Sequence, residues 1–516
     1  MGENHPEVQK LMLSTALTQA VGKVEYKLPP QYANYAKVFN EPKDGKLPPR
    51  RSFDHTIDLK NTFILKVAKT YPMNPNEMDI CKEFIDKHLK SGKIHKSQSP
   101  QASSFYFIQK KDGELHPCQD YWYLNEHTVR NMYPPPLIST LINKLQGAKY
   151  FSKIDIQWGY NNIHIKEGDK WKAAFITPYS LYEPTVMSFG QCSSPPTFQA
   201  FMDSTFRDMI IEGWLIIYMD DVLVAATTLE ECQERTKWGL KRMQEEDLHL
   251  KLAKCAFDQM EVEYLGLVVK EGEVHIDPTK LNAVWDWELP KSVKAVHSFI
   301  GFCNFYQKLI PNFSTLTQHL HDLTKKGITF SWGKEQDDMF VKLKEVFLSA
   351  PVIKMLDTSR VFFVMTDTSL TATRGVLVQK DSNGDLHPCA YHSTTFSPAE
   401  WNYNIYDREL LAVIQALKEW RHYLTGTEHP VTVITNHKNL GYFKQPQNLT
   451  HQQACWELFM QDLDIKWGVE QGINMGPANA QSRKDEVDTS SNNWEIILLK
   501  EEDQDHHIQT LDMALT

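Results

Sequence analysis

Leu215-Ile216-Ile217-Tyr218-Met219-Asp220-Asp221-Val222-Leu223-Val224 sets two adjacent carboxylates between two short apolar runs. The pattern predicts strand, tight turn, strand, with Asp220 and Asp221 at the tip of a hairpin buried on both flanks. Two carboxylates so placed repel each other unless a cation neutralises them. An Asp-Asp pair in general is more often a surface turn. Here both flanks stay apolar for several residues, and neither turn residue is Gly or Asn.

Upstream, Tyr150-Phe151-Ser152-Lys153-Ile154-Asp155-Ile156 is a second apolar-flanked strand carrying one acid. A lone Asp closing a strand is usually a cap or turn former. Asp155 precedes Asp220 by 65 residues, however, enough chain to lay two strands side by side. Between them a Gly/Pro-rich entry around residues 187–199 leads into a helix running to about Ile211, and a further amphipathic helix covers Leu229 to Leu248. Short strands follow around Ala256-Phe257 and 264–268. Further upstream, ten lysines and four acids lie between Lys60 and Lys111, with helical spacing over Asp79–Ser91 and a strand entering a turn at 104–113. That lysine excess suits a phosphate-contacting lobe, or equally a solvated charged face.

At 516 residues the chain is long enough for several domains, since single cores rarely exceed about 250–300 residues. With 41% hydrophobic and 23% charged residues it reads as soluble and globular. No apolar run approaches the ~18–20 residues that span a bilayer, and Glu3, His5, Glu7 and Lys10 interrupt any signal peptide. An intracellular protein of cytoplasm or nucleus, with no membrane partner, is expected. Eight scattered cysteines without a CxxC pair favour a reducing compartment and argue against structural zinc. A net charge of −10 does not advertise nucleic-acid binding, although a local basic stripe suffices for it.

The order of segments predicts an N-terminal tail (1–45), a lysine-rich lobe with the carboxylate-bearing strands (46–275), a helical lobe (276–350), an α/β unit (351–484) and an acidic tail (485–516). Helices are expected at 278–285, 293–310 and 335–347, and strands at 361–367, 375–379, 386–391 and 431–435 with a helix at 406–422. The last 32 residues hold nine acids and one lysine, and their apolar run Ile496–Leu499 can form a strand. Asp155, Asp220 and Asp221 on adjacent strands beside a lysine-rich lobe suggest two-metal phosphoryl transfer, which needs oxygen ligands and no special nucleophile.

Tyr218-Met219-Asp220-Asp221 resembles the signature of reverse transcriptases, and Phe151-Ser152-Lys153-Ile154-Asp155 resembles their first metal-binding strand. Order and spacing agree also for Gln119-Asp120-Tyr121, Leu124-Asn125 and Tyr264-Leu265-Gly266. The likeness is to gypsy-type LTR retrotransposon polyproteins over about residues 27–484. The protease that precedes this region in the family, and the integrase with its zinc-binding segment that follows, have no counterpart in these residues. The resemblance implies an α+β right-hand polymerase of fingers, palm and thumb, followed by an RNase H-like α/β domain. It implies RNA-directed DNA polymerase activity on an RNA or DNA template with primer, using deoxynucleoside triphosphates and two Mg²⁺ ions, with Mn²⁺ as a substitute. Other element-encoded proteins are the further partners it implies.

Residue by residue, the resemblance gives Asp155, Asp220, Asp221 and the carbonyl of Ile156 to the metals. It gives Tyr160 to the gate against a ribose 2′-hydroxyl, Lys110 or Lys111 to the triphosphate, and Gln191 to Pro195 to the incoming base pair. Cys255 to Phe257 and Tyr264 to Gly266 fall at the primer terminus. His116 stands where the family has an Arg packed over the nucleotide, and imidazole is shorter and mostly neutral at pH 7. Trp122 also replaces a usual Arg, and Ser188 a usual Pro. In the RNase H-like region Asp367 and Glu409 match the first two carboxylates of four, while Asn436 and Asn479 stand at the other two. Neutral amides compensate divalent ions poorly, so impaired RNA cleavage is expected. The competing reading is a decayed transposon remnant that folds and at most binds nucleic acid.

Overall fold

The computed structural model describes residues 27–40, 47–109, 115–435 and 450–469, with two short strands at Ile496–Leu498 and Gln509–Leu511. Lys110, Lys111, Asn436 and Asn479 lie outside the described residues, as does most of the acidic C-terminal segment. The chain divides into two compact units, Met1–Leu265 and Gly266–Thr516.

In the first unit, the helix Pro75–Lys90 begins on a reciprocal cap: the Asn74 side chain accepts from the Glu77 amide, and the Glu77 carboxylate accepts from the Asn74 amide. Its apolar residues Cys81 and Ile85 cluster with Phe105 and Phe175 of a five-stranded sheet. That sheet runs in the order Ile94–Lys96, Leu181–Pro184, Phe175–Ile176, Ser103–Gln109, Leu115–Asp120.

The second sheet of this unit runs Leu215–Tyr218, Asp221–Ala226, Tyr150–Asp155, Ala256–Gln259. Leu215, Ile216, Ile217 and Val222 through Ala226 are all buried, which explains why their sequence is continuously apolar rather than alternating. The helices Ser194–Thr205 and Leu229–Glu245 supply Phe198, Phe201, Met202, Leu240 and Met243 to the same core.

Residues 30–39, read from the sequence as part of a tail, form instead a 3-10 helix, Pro30–Phe39, with Tyr32 fully buried. It docks through Tyr32, Tyr35, Val38 and Phe39, set three to four residues apart, and ten residues are too few for that periodicity to stand out in the sequence.

The second unit opens with the antiparallel pair Leu267–Lys270 and Glu273–Ile276, to which Ile353–Lys354 adds by pairing with Glu273–Val274. This pairing ties residues 267–275 to the second unit, whereas the sequence reading set its boundary at 275. Helices Pro278–Trp285 and Lys334–Leu348 stand where the periodicity places them, while the one expected over 293–310 ends at Asn304 and is followed by a 3-10 turn, Gln307–Leu309. A fourth, Phe313–Asp322, was not anticipated; it follows Asn312, which adopts a left-handed φ of 56° just after Pro311.

The remaining sheet runs Leu386–Thr395, Ala372–Lys380, Phe363–Thr368, Val431–Thr435, Ile465–Val469, Ile496–Leu498, Gln509–Leu511. Its first three strands are antiparallel neighbours, while Phe363–Thr368, Val431–Thr435 and Ile465–Val469 run parallel. Helix Ile405–Glu419 buries Leu410, Val413, Ile414 and Leu417 against this sheet's apolar core. Among the described residues, no helix is long and apolar enough to cross a membrane.

Candidate active site

The Asp-Asp hairpin closes on Tyr218 paired with Asp221, leaving Met219 and Asp220 as the two turn residues. Such a tight turn needs a left-handed residue, and Met219 takes it with φ 54°. A non-glycine residue there is strained by about 1–2 kcal/mol, so its surroundings must hold it. Gln199 does so: fully buried, it accepts from the Met219 amide through Oε1 at 2.7 Å. Its Nε2 donates to Asp203 Oδ1 at 2.8 Å and to the Ile217 carbonyl at 3.4 Å, which fixes the amide's orientation. The sequence reading passed over Gln199; the signal was a polar residue between Phe198 and Phe201 on a buried helix face.

Strand Tyr150–Asp155 pairs with Asp221–Ala226 in a register that sets Asp155 directly opposite Asp221. The Ile156 amide donates to the Asp220 carbonyl at 3.1 Å, tying the end of one strand to the tip of the hairpin. Asp155 is buried, Asp220 exposed and Asp221 between the two. Burial pushes the Asp221 carboxyl up, the neighbouring Lys153 opposes this, and the charges of Asp220 and Asp155 push it further up.

Two lysines meet this negative charge. Lys254 Nζ donates to Asp155 Oδ2 at 2.9 Å, and Lys153 Nζ lies 3.8 Å from Asp221 Oδ1. The bond to Asp155 raises the Lys254 ammonium above its ordinary range. Lys254 is the other residue the sequence reading missed.

Around this group, Gly159 brings backbone close to the hairpin. A Cβ there would lie 3.2 Å from the Phe198 ring and 3.4 Å from Asp220 Cβ. Tyr160 packs edge-on against Phe189 at 4.9 Å and Phe198 at 5.8 Å, and burial together with Asp220 raises its phenol. Gln191 is buried and accepts from Ser194 Oγ at 3.2 Å. On the five-stranded sheet His116 pairs across from Ile108 and is exposed, and Trp122 is 79% exposed.

In the second unit Asp367 lies on strand Phe363–Thr368, and Glu409 projects from helix Ile405–Glu419 into the buried layer beside it. Thr368 Oγ1 donates to Glu409 Oε1 at 2.7 Å, and Oε2 is buried with no partner among the described residues. Burial pushes the Glu409 carboxyl up to about 7; the Thr368 bond opposes this and the charge of Asp367 adds to it.

A divalent ion suits the first group by chemistry, because its donors are all hard carboxylate oxygens carrying an excess of negative charge. Among the described residues, no three His, Cys, Asp or Glu side chains are drawn into a closed metal cluster. The Asp155 carboxylate is instead turned to the ammonium of Lys254.

The family described as reverse transcriptase (RNA-dependent DNA polymerase) matches residues 108–269, and the RNase H-like domain found in reverse transcriptase matches residues 357–463. The Tf2-3 and Tf2-7 transposon polyproteins of Schizosaccharomyces pombe are each 32% identical to the chain over 464 residues. That alignment covers 89% of this chain but 35% of either polyprotein, so the chain spans about a third of their length. Among solved structures, a foamy viral protease-reverse transcriptase in complex with double-stranded DNA aligns with a TM-score of 0.73 at 20% identity, covering 90% of this chain and 98% of that one. A second, described as the dRH form, also with double-stranded DNA, gives 0.74 at 20% identity over 91% and 82%. At that identity the likeness speaks for the fold alone. The chain thus carries a reverse transcriptase domain followed by an RNase H-like domain, and resembles that region of LTR-retrotransposon polyproteins.

Proposed function

We propose that the chain is an RNA-directed DNA polymerase that extends a primer on an RNA or DNA template by two-metal nucleotidyl transfer. The observation that carries this is the pairing of Asp155 opposite Asp221, with Asp220 tied through its carbonyl to the Ile156 amide. These carboxylates and the Ile156 carbonyl would hold two Mg²⁺ ions, or Mn²⁺, which would supply charge neutralisation and acidify the primer 3′-hydroxyl. The chain's own part is positioning. The Gln199 lock fixes the hairpin tip, and Gly159 lets the loop after Asp155 pass beside Asp220. The ring of Tyr160, wedged between Phe189 and Phe198, forms a rigid floor against which a 2′-hydroxyl would clash. Lys110 or Lys111 and Gln191 complete the nucleotide site in this reading. The foamy viral relatives bound to double-stranded DNA support nucleic acid as the partner.

In the same proposal the RNase H-like domain is impaired. Asp367 and Glu409 supply two carboxylates, one of them raised to about 7, and Asn436 and Asn479 supply neutral amides. The exposed His116 and Trp122 favour a second reading, a folded remnant that binds nucleic acid without turning over. Primer extension on a homopolymer template with Mg²⁺ or Mn²⁺, beside an Asp220→Asn control, separates the two. Extension above the control supports the polymerase; none above it leaves the remnant.

A further inference from the structure

The 3-10 helix Pro30–Phe39 clamps residues 249–258 at both ends. At one end the Val38 carbonyl accepts from the Leu250 amide at 2.8 Å, and the Asn40 carbonyl accepts from His249 Nδ1 at 2.8 Å. At the other, the Tyr32 hydroxyl donates to Asp258 Oδ1 at 2.6 Å and Gln31 Nε2 donates to Oδ2 at 2.8 Å. Between them the rings of Tyr32 and Phe39 pack on Phe257 with centroids 5.0 and 6.1 Å away.

The clamped segment is the one that holds Asp155. The Lys251 amide donates to the Asp155 carbonyl at 3.0 Å, and Lys254 Nζ donates to its carboxylate at 2.9 Å. Asp258 adopts a left-handed φ of 56°, and its amide donates to Ser152 Oγ at 3.1 Å, on the strand that ends in Asp155. Tyr32 is fully buried, and its hydroxyl stays protonated because burial and Asp258 both oppose ionisation.

From this geometry we infer that Tyr32 and Asp258 are positioning residues for the carboxylate site: their bond sets the course of residues 249–258 and thereby fixes Asp155. The inference rests on Asp155 being a metal ligand. A hydrogen bond that only filled the core would stabilise the fold without reaching the metal. One that positions Asp155 acts as the outer partners of metal ligands do, whose loss costs about 10–100-fold in affinity.

The test uses the full chain without nucleic acid. Mn²⁺ affinity is measured by electron paramagnetic resonance titration, and opening of the segment by hydrogen exchange at the Lys251 amide. Tyr32→Phe keeps the ring and removes only the hydroxyl; Asp258→Asn keeps the shape and tolerates the left-handed backbone. Each should weaken Mn²⁺ binding about tenfold and speed Lys251 exchange by a similar factor, with the double variant no worse than the weaker single, since the pair acts as one unit. Phe206→Leu, in the same core but away from the clamp, should lower the thermal midpoint without moving either readout. Wild-type affinity and exchange in Tyr32→Phe would overturn the inference, as would equal shifts in Phe206→Leu. An Asp220→Asn variant that binds Mn²⁺ as the wild type does would reject the metal-site reading itself; Lys251 exchange then decides the positioning role alone.

Discussion

Burial pushes up one carboxyl in each site, Asp221 in the first and Glu409 in the second, and single substitutions separate the two sites. Asp220→Asn removes one of the two carboxylate charges that add to burial in pushing Asp221 up. It should lower primer extension by more than about a hundredfold, given that even outer partners of metal ligands are worth about 10–100-fold. Gel-resolved extension at saturating nucleotide checks this. His116 lies exposed on the strand Leu115–Asp120, and His116→Arg should restore a planar, permanently charged fork. The expected result is a KM for the incoming triphosphate lower by about tenfold, the value of one charge-assisted hydrogen bond, with kcat little changed.

Glu409 gives a pH dependence instead. Its ordinary value of 4.5 is raised to about 7 in the folded chain, so the folded state binds the extra proton between those values. The stability it contributes is full below about 4.5 and lost as pH rises through 7, amounting to about 3 kcal/mol at most. Glu409→Gln should flatten that slope between pH 5 and 8, read as the thermal midpoint of the full chain; an unchanged slope would place the burial penalty elsewhere.

At the level of elements, the hairpin is stable because a helix reaches across to it. Gln199 satisfies the Met219 amide and is itself held by Asp203. Gln199→Leu keeps the volume but strands that amide, which should destabilise the unit by about 1–3 kcal/mol and reduce extension. Denaturant unfolding and extension assays measure the two effects. The hairpin itself was legible in the sequence, since two continuous apolar runs around a two-residue tip have few other ways to be buried. Its lock was not, because a polar residue inside a helix declares its partner only once the helix is docked. The helix Phe313–Asp322 escaped notice for a related reason: it enters through the left-handed Asn312, a local geometry that Pro311-Asn312 permits but does not require.

For the whole molecule, the order of motifs identified the reverse transcriptase and RNase H-like domains before any coordinates, as the family matches bear out. Long-range pairings were hidden. Strand Glu273–Ile276 joins Ile353–Lys354, and nothing in either short segment names the other. The contacts of Pro30–Phe39 were hidden more deeply, since a short segment makes them with residues more than 200 positions away.

Those contacts also govern when the polymerase unit can assemble. Tyr32 meets Asp258 across 226 residues of chain, so the N-terminal clamp has nothing to close on until its target has left the ribosome. Non-local closure of this kind is slow, because chain entropy must be lost before the contact forms. A nascent chain that stops short of Asp258 exposes Tyr32 and lacks the support under Asp155. Activity should therefore be absent from nascent chains that stop short of Asp258, whatever elements they already contain.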